Sequence, residues 1–285
     1  MSLAQPAFKL LVAVAVAYLA TTVILAIFQS RFIYPAPQVP APLTPGYEEV
    51  RLQTGDGLAL RAFYREAQPG LPTLLYFHGN GGTLQGASVS NGASVEAGIG
   101  ALLVEYRGYG GNPGTPSEAG FYRDGSAALR FLEERGIAPE EIVVMGNSIG
   151  AGVAVEIAGV MERSGARPAG LVLVAPFKSL RDAAGDKLWW LPARLLVRES
   201  YDNRARIAAL EMPVLVQHGD ADTLIGDDHG RALAAAAPDG RFQSFAGSGH
   251  ALSFERRSQE ARRDWILALA RQGRVSAPRS PAIRP

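Results

Sequence analysis

At 285 residues and 47% hydrophobic composition, the chain can bury one core of catalytic-domain size. Its 28 basic and 27 acidic residues leave a formal charge of +1, a field too weak to recruit nucleic acid or a polyanionic substrate. With no cysteine and no HExxH or EF-hand pattern, disulfides, thiolate chemistry and the familiar metal motifs are excluded, so Ser, His and carboxylates must carry any reaction.

In chain order, Leu10 to Phe28 is a run of 19 residues without a charge, which as a helix covers close to the ~30 Å hydrocarbon core of a bilayer. A cleaved leader usually has an apolar stretch of about 7–15 residues ending in small side chains. This one ends Ala26-Ile27-Phe28, so residues 1–30 are read as an uncleaved transmembrane anchor, with the cleaved leader as the alternative. Lys9 and the terminal amine precede the span and Arg31 follows it. That asymmetry places the N-terminus in the cytoplasm and the domain on the exported, periplasmic or extracytoplasmic, side. Residues 31–45 hold Pro35, Pro37, Pro40, Pro42 and Pro45, a density that predicts an extended linker or stalk. Residues 273–285 have little to bury and are expected to form a disordered tail. The folded domain is therefore placed at 46–272.

Inside that domain, Glu48–Gln53 and Leu58–Tyr64 flank Thr54-Gly55-Asp56-Gly57, a hairpin signature. Five short apolar runs follow, at Thr73–Phe77, Ala101–Val104, Ile142–Met145, Leu171–Val174 and Val214–Gln217. Such runs suit strands of a parallel sheet covered on both faces. Helices are predicted between them at Ser117–Glu134, with a capped start, at Ser148–Met161 and at Leu252–Ala270. The Gly- and Ser-rich stretch Thr83–Gly98 argues against a firm helix. The repeating βα pattern predicts a three-layer α/β sandwich.

Chemistry attaches to particular strand ends. Val143-Val144-Met145-Gly146-Asn147-Ser148-Ile149-Gly150 reads as strand, GxSxG, then helix. A serine on so sharp a turn is exposed for attack, with the positive end of the helix directed at the developing oxyanion. A serine that merely caps the helix is the plainer alternative. A hydroxyl needs a base. The four histidines are His78, His218, His229 and His250, and His250 sits in a Gly-rich loop between the last strand and the last helix, where an imidazole can reach the strand ends. His78 and His218 each end a strand and read as structural hydrogen-bonding groups; His229, among Asp227, Asp228 and Gly230, reads as a solvated helix residue. A carboxylate must orient the base. Asp222 lies far enough beyond the Val214–Gln217 strand to turn toward His250, while Asp220, the alternative, is better placed to satisfy its own turn. The order Ser148, Asp222, His250 is that of an acyl hydrolase. Phe77-His78-Gly79-Asn80-Gly81-Gly82 closes a central strand with a Gly-rich turn, so the backbone amides of Asn80 and Ile149 form the natural oxyanion pair. No GxxxxGK[ST] or complete GxGxxG is present, and no cofactor is expected.

From about Tyr47 to Trp265 the chain resembles the Bem46/ABHD13-type branch of α/β hydrolases, also grouped with serine aminopeptidase-like domains. The likeness rests on the His78 and Ser148 motifs together with Glu105-Tyr106-Arg107-Gly108-Tyr109-Gly110, Gly114-Thr115-Pro116-Ser117-Glu118 and Ala175-Pro176-Phe177-Lys178-Ser179-Leu180. The resemblance implies an eight-stranded, mostly parallel sheet, the triad above and often an N-terminal anchor. Residues 177–211 carry Leu188, Trp189, Trp190, Leu191, Leu195, Leu196 and Val197 and are expected to form a small cap over the active site. An apolar cap beside a membrane points to a lipid or acyl-chain ester as substrate, although the same residues could serve as the cap's own core. A serine esterase with an acyl-enzyme intermediate is the expectation. Thioester or amide cleavage, and a non-catalytic binding module on the same scaffold, are the alternatives.

Overall fold

The structure, a computed structural model, describes residues 4–271. Eight strands form one sheet: β1 (Glu48–Gln53), β2 (Ala59–Arg65), β3 (Thr73–Phe77), β4 (Gly100–Val104), β5 (Ile142–Asn147), β6 (Gly170–Val174), β7 (Val214–Gly219) and β8 (Gly240–Phe245). Their order is β1-β2-β4-β3-β5-β6-β7-β8. β2 pairs antiparallel with β1 and with β4, and every other pairing is parallel.

Strand side chains alternate between faces, and each face feeds its own core. Leu75, Phe77, Val144, Leu173 and Val216 pack with α4 (Glu118–Glu134), α5 (Ile149–Arg163) and α9 (Asp227–Ala236). Leu74, Tyr76, Val143, Val172 and Leu215 pack on the other side with α2 (Leu84–Ser90) and α10 (Arg256–Arg271). With helices on both faces, β3, β4 and β6 are buried at every position, the physical reason their sequences are apolar runs, broken only by Thr73 at the start of β3. At the start of α4, Ser117 Oγ accepts from the Gly120 amide at 3.0 Å, and Phe121, Leu129 and Leu132 are buried, as the sequence pattern predicts.

Four segments differ from the sequence reading. Thr83–Gly98 does form helix, in two short pieces, α2 and α3 (Gly92–Glu96); Thr83 caps the first through its hydroxyl, and Leu84 and Ala87 give it a buried face. The proline-rich segment does not stand free of the domain. Tyr34 is buried and bonds through its hydroxyl to that of Tyr201 at 2.9 Å, Gly110 N donates to Pro37 O at 2.7 Å, and Ala41 is buried. Helix also continues past residue 30, since α1 runs Ala4–Ile33. The last helix starts later than Leu252, after a tight 3₁₀ turn at His250–Phe254. The tail proposed at 273–285 lies outside the described residues. Ala7–Ile33 contains an 18-residue window with a mean hydropathy of 2.6 and is long and apolar enough, by length and composition, to cross a membrane.

Candidate active site

Ser148 caps the start of α5 directly after β5, with φ 53° and ψ −118°. A side chain at positive φ is strained. The strain is held because the Ser148 amide donates to Val174 O at 2.9 Å and because both neighbouring glycines leave room. A Cβ at position 146 would run into the Gly150 carbonyl, and one at position 150 into the Phe77 carbonyl. The turn thus lifts the hydroxyl above the sheet's carboxyl edge, and Ser148 is no mere helix cap, since its side chain makes no capping hydrogen bond.

His250 reaches this point from the loop after β8. Its Nδ1 lies 2.8 Å from Asp222 Oδ2 and its Nε2 lies 3.0 Å from Ser148 Oγ. A carboxylate only accepts, so Nδ1 carries the proton and Nε2 presents a lone pair to the serine hydroxyl. Asp222 is itself fastened: Oδ1 accepts from the amides of Leu224 at 2.9 Å and Ile225 at 3.0 Å. Burial pushes this carboxyl's pKa up, but hydrogen bonds from His218, His250 and the Ile225 amide outweigh burial and hold it well below the usual carboxylate range. The group is an anion at neutral pH. Asp220 points elsewhere, accepting from Gly247 N at 2.7 Å, and so ties the loop after β7 to the loop that carries His250.

The Gly79-Asn80 turn lies beside Ser148, for a Cβ on Gly79 would sit 3.5 Å from Ser148 Cβ. Its peptide planes are set by their carbonyls. Gly79 O accepts from Gly82 N at 2.9 Å and faces His78 Nδ1 at 2.8 Å. In a trans peptide the N–H points opposite to the C=O, so fixing the Gly79 carbonyl aims the Asn80 N–H away from those donors. Tyr109 and Tyr106 secure the flanking carbonyls of Asn80 and His78, at 2.8 and 2.9 Å. Ile149 supplies the first amide of α5, with no helical carbonyl behind it to accept. Around Ser148 and His250 is a cavity of about 280 Å³, lined also by Tyr76, Ala87, Ala251 and Phe254.

The other histidines separate by environment. His78 is buried and bonds through Nε2 to Glu105 at 2.8 Å, the structural role expected of it. His218 is likewise structural, with Nε2 3.0 Å from Ile225 O, but the same nitrogen is 3.3 Å from Asp222 Oδ2. Asp222 therefore faces two imidazoles, a link unseen in the sequence although the four-residue spacing beyond a strand end was its signal. His229 is not solvated. It is buried, its Nδ1 accepts from Lys178 N at 3.1 Å, and its Nε2 faces Asp186 at 3.1 Å. Burial, with Lys178 nearby, pushes its pKa below 6.5. Its polar neighbours Asp227 and Asp228 occupy the first turn of α9, while position 229 turns inward beneath residues 178–186.

The cap also departs from expectation. Residues 177–211 contain α6 (Leu180–Lys187), α7 (Ala193–Leu196) and α8 (Asn203–Ile207). None of them lines the cavity at Ser148. Leu188, Leu191, Ala193, Leu196 and Val197 instead line a second cavity, of about 290 Å³, whose opposite wall is α1. The cap's apolar side chains find the N-terminal helix, a partner that local pattern could not reveal.

Comparison with known proteins agrees with this fold. A family model described as alpha/beta hydrolase fold matches residues 74–252. An uncharacterized protein of Mycobacterium tuberculosis is 37% identical over 82% of this chain and 85% of its own. Protein bem46 of Schizosaccharomyces pombe is 33% identical over 64% of this chain and 66% of its own. Lysophosphatidylserine lipase ABHD12 of Danio rerio is 29% identical over 67% of this chain, which spans 53% of that protein. Among solved structures, an alpha-beta hydrolase from Vibrio vulnificus superposes with a TM-score of 0.66 at 22% identity, covering 82% of this chain and 96% of that one, a likeness of fold.

Proposed function

From the premise that this chain belongs to the α/β-hydrolase family, we propose that it is a membrane-anchored serine hydrolase that cleaves a carboxylic ester through an acyl-enzyme intermediate. The observation that carries the reading is the continuous relay from Asp222 through His250 to Ser148, at 2.8 and 3.0 Å. His250 Nε2 takes the Ser148 proton as Oγ attacks the ester carbonyl. The amides of Asn80 and Ile149 receive the oxyanion, and Asp222 stabilises the imidazolium. His250 then gives the proton to the departing alcohol. Water, deprotonated by the same imidazole, releases the acid and restores the serine.

The chemistry proceeds with these side chains, the two backbone amides and water. An ester is favoured over a thioester or an amide because one relative is named a lipase, and that name makes a single-chain phospholipid the first lipid to assay. The anchor is α1, with its N-terminus in the cytoplasm and the domain exported. Labelling of the full chain by a fluorophosphonate probe tests the nucleophile: Ser148→Ala should abolish it, and equal labelling of both proteins removes Ser148 from the role. A panel of p-nitrophenyl esters of rising chain length, set beside acyl thioesters and aminoacyl amides, tests the leaving group; faster turnover of amides would overturn the ester assignment.

A further inference from the structure

The C-terminal half of α1 does not stand clear of the domain. Thr22 and Gln29 are buried, and Ala26 and Ile33 partly so, which makes one stripe at helical spacing pressed against the cap. Gln29 fixes the contact in register: its Nε2 donates to Leu196 O at 3.1 Å and its Oε1 accepts from Arg198 N at 2.8 Å. Higher on the helix, Tyr18 donates to Trp190 O at 3.2 Å, and the two rings meet edge to face at 6.5 Å. Tyr18 precedes Ile33 by about four turns, about 22 Å along the axis. Lys9 bounds the uncharged run of α1, and the part of that run before Tyr18, from Leu10, is only about 12 Å long, short of the ~30 Å hydrocarbon core. A full crossing by α1 therefore requires that the lipid also surround the segment the cap touches.

The cap is built for that. Residues 188–197 read Leu-Trp-Trp-Leu-Pro-Ala-Arg-Leu-Leu-Val, and the single charge, Arg194, is paired to Asp186 at 2.7 Å. Trp189 is 82% exposed and Leu195 87% exposed, and on α1 Ile27, Phe28 and Phe32 are exposed as well. Arg181, Lys187 and Arg198 flank this tip, basic groups suited to lipid phosphates, as Trp is suited to the interface. We propose that the tip of the cap, residues 188–197, is immersed in the same lipid leaflet as the C-terminal half of α1, and that an acyl chain of a bilayer lipid occupies the apolar groove between them. The inference rests on the anchored reading above. It adds a second membrane-contacting element, and it places a lipid-filled groove on the side of the domain that carries the site.

The absence of cysteine makes the test clean. Val16→Cys, Leu195→Cys and Glu133→Cys, each in the full chain reconstituted into phospholipid vesicles, give single sites for a nitroxide label. Collision with oxygen, which concentrates in lipid, is compared with collision with a water-soluble nickel chelate. Labels at positions 16 and 195 should favour oxygen several-fold over the label at the exposed helix position 133. A lipid-exposed label at 16 with a label at 195 as chelate-accessible as that at 133 overturns the immersed cap and leaves the anchor standing. Chelate-accessible labels at both 16 and 195 overturn the anchor and, with it, this inference.

Discussion

Replacing Asp222 with asparagine probes the relay with the smallest change of shape. Oδ1 of Asp222 accepts from two amides, Leu224 N and Ile225 N, so the carbonyl oxygen of an asparagine must stay on that side. Its NH₂ group is then forced into the Oδ2 position, 2.8 Å from His250 Nδ1 and 3.3 Å from His218 Nε2. Donor would meet donor. The imidazole of His250 escapes by carrying its proton on Nε2, and in that tautomer it presents N–H, not a lone pair, to Ser148. The base is lost while the fold survives, and the expected fall in kcat is about 10⁴-fold, about 5 kcal/mol of transition-state stabilisation. KM should change little. Steady-state hydrolysis of a short p-nitrophenyl ester measures it, with Asp220→Asn as the control: that carboxylate accepts from the Gly247 amide near the surface, away from His250, so its variant should stay within about threefold of the parent. An Asp222→Asn protein that melts like the parent and retains more than a tenth of its kcat would refute the tautomer argument and the assignment of Asp222.

Three further outcomes are expected. Gly150→Ala should destabilise the fold by about 3 kcal/mol or more, because the new methyl meets the Phe77 carbonyl of a central strand; a melting temperature equal to the parent's contradicts the geometry of the turn. His218→Asn should lower kcat by about tenfold with KM retained, the effect of removing one hydrogen-bond donor from a buried carboxylate, about 1.5 kcal/mol; an unchanged kcat would make His218 purely structural. His229 gives a pH signature: its folded pKa lies below the ordinary 6.5, so the unfolded chain binds the proton first and stability is lost as pH falls below that value. Thermal melts between about pH 7 and pH 5 should therefore slope downward in the parent and less so in His229→Gln. Equal slopes would remove His229 as their source.

What the sequence by itself determined is local and covalent in character. Strands buried on both faces are apolar at nearly every position, so Thr73–Phe77 and Leu171–Val174 announce themselves as central strands without any partner in view. The bend at Ser148 demands small neighbours, so Gly146 and Gly150 mark the turn in the letters themselves. His250 and Asp222 are readable because chemistry requires a base and an orienting carboxylate at strand ends, and few residues qualify. The structure brings all three together. What only the tertiary structure decided depends on segments far apart in the chain. His229 sits among residues that look wet, yet the chain at 178–186 folds over it and makes it dry. Proline density at 35–45 excludes helix but does not say whether the extended segment floats or lies down, and contacts with Gly108 and Gly110 settle it on the domain. Leu188, Leu191 and Leu196 of the cap register as apolar at once, but which surface they face is a property of distance in space: α1, some 170 residues earlier, provides the opposite wall of the cavity they line. Hydrophobic burial is non-directional, so composition can say that a segment needs a partner, and only the folded chain can say which one it has.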